Sequence, residues 1–296
     1  MKIDGVFSGG GVKAFAYIGA LEVLEEKNFS FVRVAGSSAG AIVSGMIAAG
    51  YTVKEMKQLF INLDLNHFMD TSMLEKYVPF WKWFSLYFSM GLYKGNRFEN
   101  WLYQVLARKN VYTFHDLPKD SLRVVVADLT LGKIVVIPDD LQRLYNLRPE
   151  SFLVAKAIRM SASLPYFFRP EKIINTNREK SVVVDGAVLS TLPIWIFDQE
   201  KEKKQRPVLG MKLTASYDQL PAKKITNALD LTKDLIDTMR IAHDARYISR
   251  KHQDNILFLP VTDVPVAELG LSTEDKQRLI KFGKVRASSF LKHWPN

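Results

Sequence analysis

Apolar and polar positions fall into short blocks along the first fifty residues, and each strand-like block runs into glycine. Lys2 to Phe7 alternates and meets Ser8-Gly9-Gly10-Gly11. Val12 to Leu24 is then apolar at almost every helical position and closes in Glu25-Glu26-Lys27-Asn28. The pattern predicts a strand, a glycine turn and a buried helix. Phe31 to Ala35 predicts a second strand, followed by Gly36-Ser37-Ser38-Ala39-Gly40 and an Ala- and Gly-rich helix stopped by Gly50. Two strand-turn-helix units in succession imply an α/β fold with a mainly parallel central sheet sandwiched by helices. Thr52 and Glu55 have the spacing of a capping box, which opens a third helix through Phe60.

Further along, Leu122 to Leu129 and Lys133 to Ile137 flank Thr130-Leu131-Gly132 and predict a hairpin. Ser181 to Val184 is a β-branched strand entering Asp185-Gly186, and Val208 to Leu213 and Ile256 to Leu259 predict two more. A long helix is expected between these last two, from about Lys224 to Lys251. No repeat or low-complexity linker divides the chain. The expectation is a single domain over residues 1–296, with 62–103 as a lid or insertion and 196–296 as its C-terminal part.

Composition narrows the function classes. The 296 residues are 47% hydrophobic and 24% charged, which excludes a disordered or collagenous chain. Cysteine is absent, so disulfides, thiol chemistry and cysteine zinc sites are excluded. The 41 Lys and Arg against 31 Asp and Glu give a formal charge of +10. Such a balance favours an anionic partner, and because no nucleic-acid motif accompanies it, a lipid surface is expected rather than nucleic acid. Asp4 and Lys13 interrupt the apolar runs that a signal peptide would need. Val34 to Val53 is uncharged and long enough for a bilayer of about 30 Å, but its glycines and serines hold a turn signal. The expected location is cytoplasmic or peripheral to a membrane, with no signal peptide and no transmembrane helix.

Gly36-Ser37-Ser38-Ala39-Gly40 matches G-x-S-x-G, in which the central serine sits exposed on a sharp strand-to-helix turn. Gly36 and Gly40 are required because strand and helix approach closely there. The following helix aims its N-terminal amides at the serine. Gly9-Gly10-Gly11 follows the first strand and can converge backbone N–H groups on one anion as an oxyanion hole. The same glycines also fit a dinucleotide fingerprint, which wants an acidic residue at the end of the second strand, where this chain has Ala35-Gly36-Ser37. A serine needs a base. None of His67, His115, His243, His252 and His293 sits in a loop after a late strand, whereas Asp185 ends Val182-Val183-Val184 and is freed by Gly186. Asp128 ends a similar run but continues into the hairpin, so a structural role is expected for it.

These residues carry a resemblance. Gly9-Gly10-Gly11-Val12-Lys13-Ala14, the turn around Ser38, the segment from Ala157 through Ser161, Ser163 and Pro165 to Pro170, and Asp185-Gly186-Ala187 occur in the order found in patatin-like phospholipases, which the chain resembles over residues 9–187. Two departures are Ala14 where the family usually has glycine, and Ser190-Thr191-Leu192-Pro193 where it often has asparagine before proline. The resemblance implies a lipid acyl hydrolase, of phospholipase A type or a nonspecific esterase, with a Ser38–Asp185 dyad and neither cofactor nor catalytic metal. Gly10 and Gly11 would supply the oxyanion hole within a loop that includes Gly9 and Lys13. Burial is expected to raise the Asp185 pKa. The alternatives are a catalytically silent lipid- or membrane-binding module of the same fold and a dinucleotide-binding domain. The aromatic segment Tyr77 to Phe88, with Lys76, Lys82 and Lys94 around it, reads either as a lid or interfacial docking element or as a second core cluster.

Overall fold

The structure is a computed structural model that describes residues 1–70, 86–198, 206–214, 225–247, 254–261 and 270–295. Most of the segment Tyr77 to Phe88, and His252, lie outside the described residues. The two opening units form as the pattern predicts: β1 (Lys2–Phe7), a 3₁₀ turn Gly11–Ala14, α1 (Phe15–Glu26), β2 (Ser30–Ser37) and α2 (Ala39–Ala48). The uncharged stretch from Val34 to Val53 is therefore strand, turn and helix. Next comes α3 (Val53–Ile61), capped reciprocally as expected: the Thr52 hydroxyl accepts the Glu55 N–H, and the Glu55 carboxylate accepts the Thr52 N–H.

The chain continues through β3 (Gly91–Tyr93), α4 (Asn96–Ala107), β4 (Leu122–Asp128), β5 (Lys133–Ile137), α5 (Leu141–Tyr145) and α6 (Val154–Ser161). It then adds β6 (Tyr166–Phe168), β7 (Glu171–Ile174), β8 (Lys180–Asp185), α7 (Trp195–Asp198), β9 (Val208–Lys212), α8 (Ala228–Tyr247), β10 (Ile256–Phe258) and α9 (Thr273–Phe290). Elements β3, α4, α5, α6, β6, β7, α7 and α9 are not among those the sequence pattern predicts. The hairpin is, and its register sets Asp128 opposite Lys133.

The main sheet runs β10-β9-β1-β2-β4-β8-β7, with β5 paired to β4. Pairings from β10 to β4 are parallel, and β5, β8 and β7 pair antiparallel, so the sheet is mixed. Period-two alternation divides its side chains between two buried layers. Ile3, Phe7, Val34, Val124 and Val126 join the larger core with α1, while Val6, Ala35, Val125, Val208 and Ile256 join a second cluster with Leu192, Ile194 and Phe197. Both faces are buried, which is why the strands carry near-continuous apolar runs. Helix α9 lies across α1 at two glycines. A Cβ at Gly19 would stand 1.8 Å from the Ile280 carbonyl oxygen, and one at Gly283 would stand 1.9 Å from that of Ala16.

One feature of the register positions the site. Strand β2 runs parallel to β4 and ends with Ser37 opposite Val125. Strand β8 comes antiparallel along β4 and ends with Asp185 opposite Val126. Because β5 pairs with these same residues of β4 from its other side, β2 and β8 share one flank of β4 and meet end to end. The residue after β2 and the last residue of β8 are therefore brought together although they are far apart in sequence.

Candidate active site

Ser38 occupies the turn where β2 becomes α2, with φ 54° and ψ −126°. A serine in the positive-φ region is uncommon and marks a constrained turn. The flanking glycines are needed for space. A Cβ at Gly36 would lie 2.4 Å from the Gly40 carbonyl carbon, and one at Gly40 would lie 2.2 Å from the Phe7 carbonyl oxygen. The Ser38 N–H donates to Ser161 Oγ at 2.9 Å, and that hydroxyl donates to the Val125 carbonyl at 2.6 Å.

Ser38 Oγ donates to Asp185 Oδ2 at 2.6 Å. Asp185 is 3% exposed. Its Oδ1 accepts the Ala187 N–H at 2.8 Å, and its own N–H donates to the Ser163 carbonyl at 3.0 Å. Burial pushes the Asp185 pKa up to about 6, in the direction expected, against the lowering effects of the Ser38 and Ala187 hydrogen bonds and the Arg240 charge. Gly186 must be glycine because a Cβ there would come within 2.1 Å of the Val125 carbonyl oxygen.

The glycine loop lies against this pair. A Cβ at Gly9 would sit 2.6 Å from that of Ala187 and 3.2 Å from that of Ser38. The Gly9 N–H is taken by the Thr191 carbonyl at 3.1 Å. The Gly10 and Gly11 N–H groups meet no acceptor among the described residues. Gly11, at φ 55°, lines the same cavity as Ser38, and Gly10 is packed against Leu213. Lys13 Nζ donates to the Val261 carbonyl at 2.7 Å, which ties the loop to the segment after β10.

Ser38 and Asp185 open into a cavity of about 150 Å³. Its remaining wall is almost wholly apolar, with Phe15, Phe60, Phe68, Trp101 and Phe167 among its members. Phe68, Phe98 and Trp101 pack ring against ring at one side of it. Among the described residues no histidine lines the cavity. Asp128 is buried elsewhere, accepting the Tyr145 hydroxyl at 2.6 Å and the Leu131 N–H at 2.8 Å, in keeping with a structural role.

The sequence pattern alone assigns no role to Ser161, Ser163 or Arg159. Ser161 bridges the Ser38 N–H to β4, and Ser163 joins the Asp185 N–H to the end of α6 through its carbonyl, while its hydroxyl donates to the Arg159 carbonyl. Arg159 is fully buried, donating to the Gly95 and Lys94 carbonyls at 3.1 and 2.9 Å and also to Ser163 Oγ. An arginine in an otherwise apolar helix turn was the visible signal. Burying a guanidinium requires several acceptors, so it pins one segment to another. Among the described residues no helix is long and apolar enough to cross a membrane.

A family model described as patatin-like phospholipase matches residues 5–198. Over 294 residues the chain is 48% identical to the uncharacterized protein YqhO of Bacillus subtilis, covering 99% of each. Two solved structures share the fold: VipD from Legionella pneumophila, with a TM-score of 0.57 at 16% identity, and the type III effector ExoU of Pseudomonas aeruginosa, with 0.54 at 18%. The match takes in 98% and 99% of this chain but only 66% and 53% of those two chains.

Proposed function

The chain belongs to the patatin-like phospholipase family, and from that premise we propose that it is a lipid acyl hydrolase working through Ser38 and Asp185. The observation that carries this reading is the 2.6 Å hydrogen bond from Ser38 Oγ to Asp185 in the wall of an apolar cavity. A hydroxyl on a constrained turn, hydrogen-bonded to a buried carboxylate, is the pairing that nucleophilic catalysis needs. An apolar wall suits the hydrocarbon of a fatty acyl ester.

In the proposed reaction Ser38 Oγ attacks the ester carbonyl carbon while its proton passes to Asp185 Oδ2. The Gly10 and Gly11 N–H groups donate to the resulting oxyanion, and the N-terminus of α2 adds a favourable potential. The tetrahedral intermediate expels the alcohol, which takes the proton back from Asp185, and leaves an acyl-serine. Water, giving a proton to Asp185, then attacks the acyl carbon, and Ser38 regains its proton as the fatty acid leaves. A carboxylate near 3.9 would be a weak base. One raised to about 6 is better matched to this task near neutral pH.

The test is labelling with a fluorophosphonate probe together with hydrolysis of a fatty acyl ester. Wild type is expected to label at Ser38 and to hydrolyse the ester. Ser38→Ala should lose both, and Asp185→Asn should fall nearly as far. Substantial hydrolysis by a folded Ser38→Ala protein would overturn the serine mechanism.

A further inference from the structure

The cavity opens beside a cluster of large apolar side chains that face water. Tyr87, Tyr166 and Phe88 are 80%, 70% and 64% exposed, and Met90 stands with them. Leu164 is both exposed and part of the cavity wall, and Phe167, next to Tyr166, lines the cavity too. Tyr87, Met90 and Tyr166 share a shallow groove, and the pairing of β3 with β6 sets Gly91 opposite Tyr166.

Two residues of this groove carry backbone strain. Met90 and Tyr166 have φ of 57° and 66°, a conformation that costs free energy for a bulky side chain. Of the six other non-glycine residues at positive φ among the described residues, four are asparagine or aspartate, which tolerate it, and the remaining two are Ser38 and Arg178. Holding two large apolar residues outward in strained backbone gives nothing to the core. Two exposed cations follow along the same segment of chain. Lys94 follows β3, and Arg97 lies in the first turn of α4, where the helix dipole disfavours positive charge. Neither forms an ion pair among the described residues.

We propose that the surface made by Tyr87, Phe88, Met90, Leu164 and Tyr166, flanked by Lys94 and Arg97, seats on an anionic lipid bilayer and directs an acyl chain into the cavity. This rests on the hydrolase reading above. Tyrosines with an apolar body and a polar tip suit the headgroup boundary, and the exposed cations that follow β3 complement anionic headgroups. The surface leads directly into an apolar cavity, as delivery of a substrate that resides in the bilayer requires.

The test is co-sedimentation with vesicles of phosphatidylcholine alone or mixed with phosphatidylserine. It uses Ser38→Ala protein, so that turnover cannot alter the vesicles. Binding should favour the mixed vesicles and weaken with added salt. Adding Phe88→Ser and Tyr166→Asn together should lower binding at least about tenfold, given the apolar area lost from the bilayer. Asparagine tolerates the left-handed backbone, so the fold is spared. Lys94→Glu with Arg97→Glu should lower binding by about fivefold or more for each cation lost. With Ser38 restored, both pairs should keep the wild-type melting temperature and hydrolyse a short, water-soluble ester at the wild-type rate. Undiminished vesicle binding in both pairs would overturn the proposal, as would loss of soluble-ester hydrolysis or conversion of a wild-type dimer to monomer by Phe88→Ser and Tyr166→Asn. Wild type that binds vesicles but hydrolyses no ester would count against the hydrolase reading alone.

Discussion

In the proposed mechanism Asp185 makes opposite demands on activity and on stability, and both can be measured. Its pKa stands at about 6 in the fold against an ordinary 3.8, chiefly because of burial. The folded chain therefore holds this proton more tightly than the unfolded chain. The stabilisation is complete below about pH 4 and is lost as pH rises through about 6. The proposed mechanism needs the ionised form, so kcat/KM should rise through about pH 6 and level off above it. Asp185→Asn keeps the shape and removes the charge. It should be inactive, yet more stable than wild type at pH 8 by up to about 3 kcal/mol, with the difference closing toward pH 4. Urea titrations at the two pH values read this directly, and a gap that widened in acid would contradict it. Ser161 offers a second measurement at this scale. Its hydroxyl joins the Ser38 N–H to the Val125 carbonyl in a fully buried position. Ser161→Ala leaves both groups without that partner, so a loss of about 1–3 kcal/mol is expected. If the hydroxyl positions Ser38, kcat should fall while KM stays near the wild-type value.

At the scale of elements, the crossing of α1 and α9 depends on two glycines whose missing side chains let backbone meet backbone. Gly283→Ala should lower the unfolding free energy by about 3 kcal/mol, because a methyl group there has no space without moving a helix. Gly270→Ala is the control: nothing lies within 4 Å of its added Cβ, so a change within about 0.5 kcal/mol is expected. Equal midpoints in urea for the two variants would refute the tight crossing. Such pairings separate what the sequence makes legible from what it does not. The turn at Ser38 is legible because strand, small residues and helix are contiguous, and Asp185 is legible because a β-branched run ends in Asp-Gly. The route by which the two meet is not, since 147 residues separate them and their encounter depends on β4 pairing with both β2 and β8. Three-residue strands such as β3 and β6 are too short to show a period. The cavity wall draws aromatics from distant segments, and no local pattern links Phe15 to Phe167. Helix α9 did carry a signal, Ser272 three residues before Asp275, and the structure shows that cap formed.

For the whole molecule, the family model ends at residue 198, but the supports of the site continue past it. Strand β9 pairs with β1, β10 pairs with β9, and α9 covers α1. The glycine loop is packed by Leu213 and tied by Lys13 to the Val261 carbonyl. The Thr191 N–H, beside the carbonyl that holds Gly9, donates to Asp244 of α8 at 3.1 Å, and Asp244 is itself paired with Lys212 in a fully buried ion pair. We propose on these grounds that residues 1–296 fold as a single domain. A fragment of residues 1–198 would leave β1 as an open sheet edge and uncover the apolar face of α1. It would also free the loop that holds Gly10 and Gly11. An exposed apolar strand edge invites aggregation. The fragment should therefore be insoluble or lack near-ultraviolet circular dichroism, and it should hydrolyse no ester. The full chain should lose tryptophan emission and far-ultraviolet dichroism over one coincident thermal transition, as elements sharing one core do. A soluble, rigid and active fragment, or two well-separated transitions in the full chain, would show that the C-terminal third folds apart from the site.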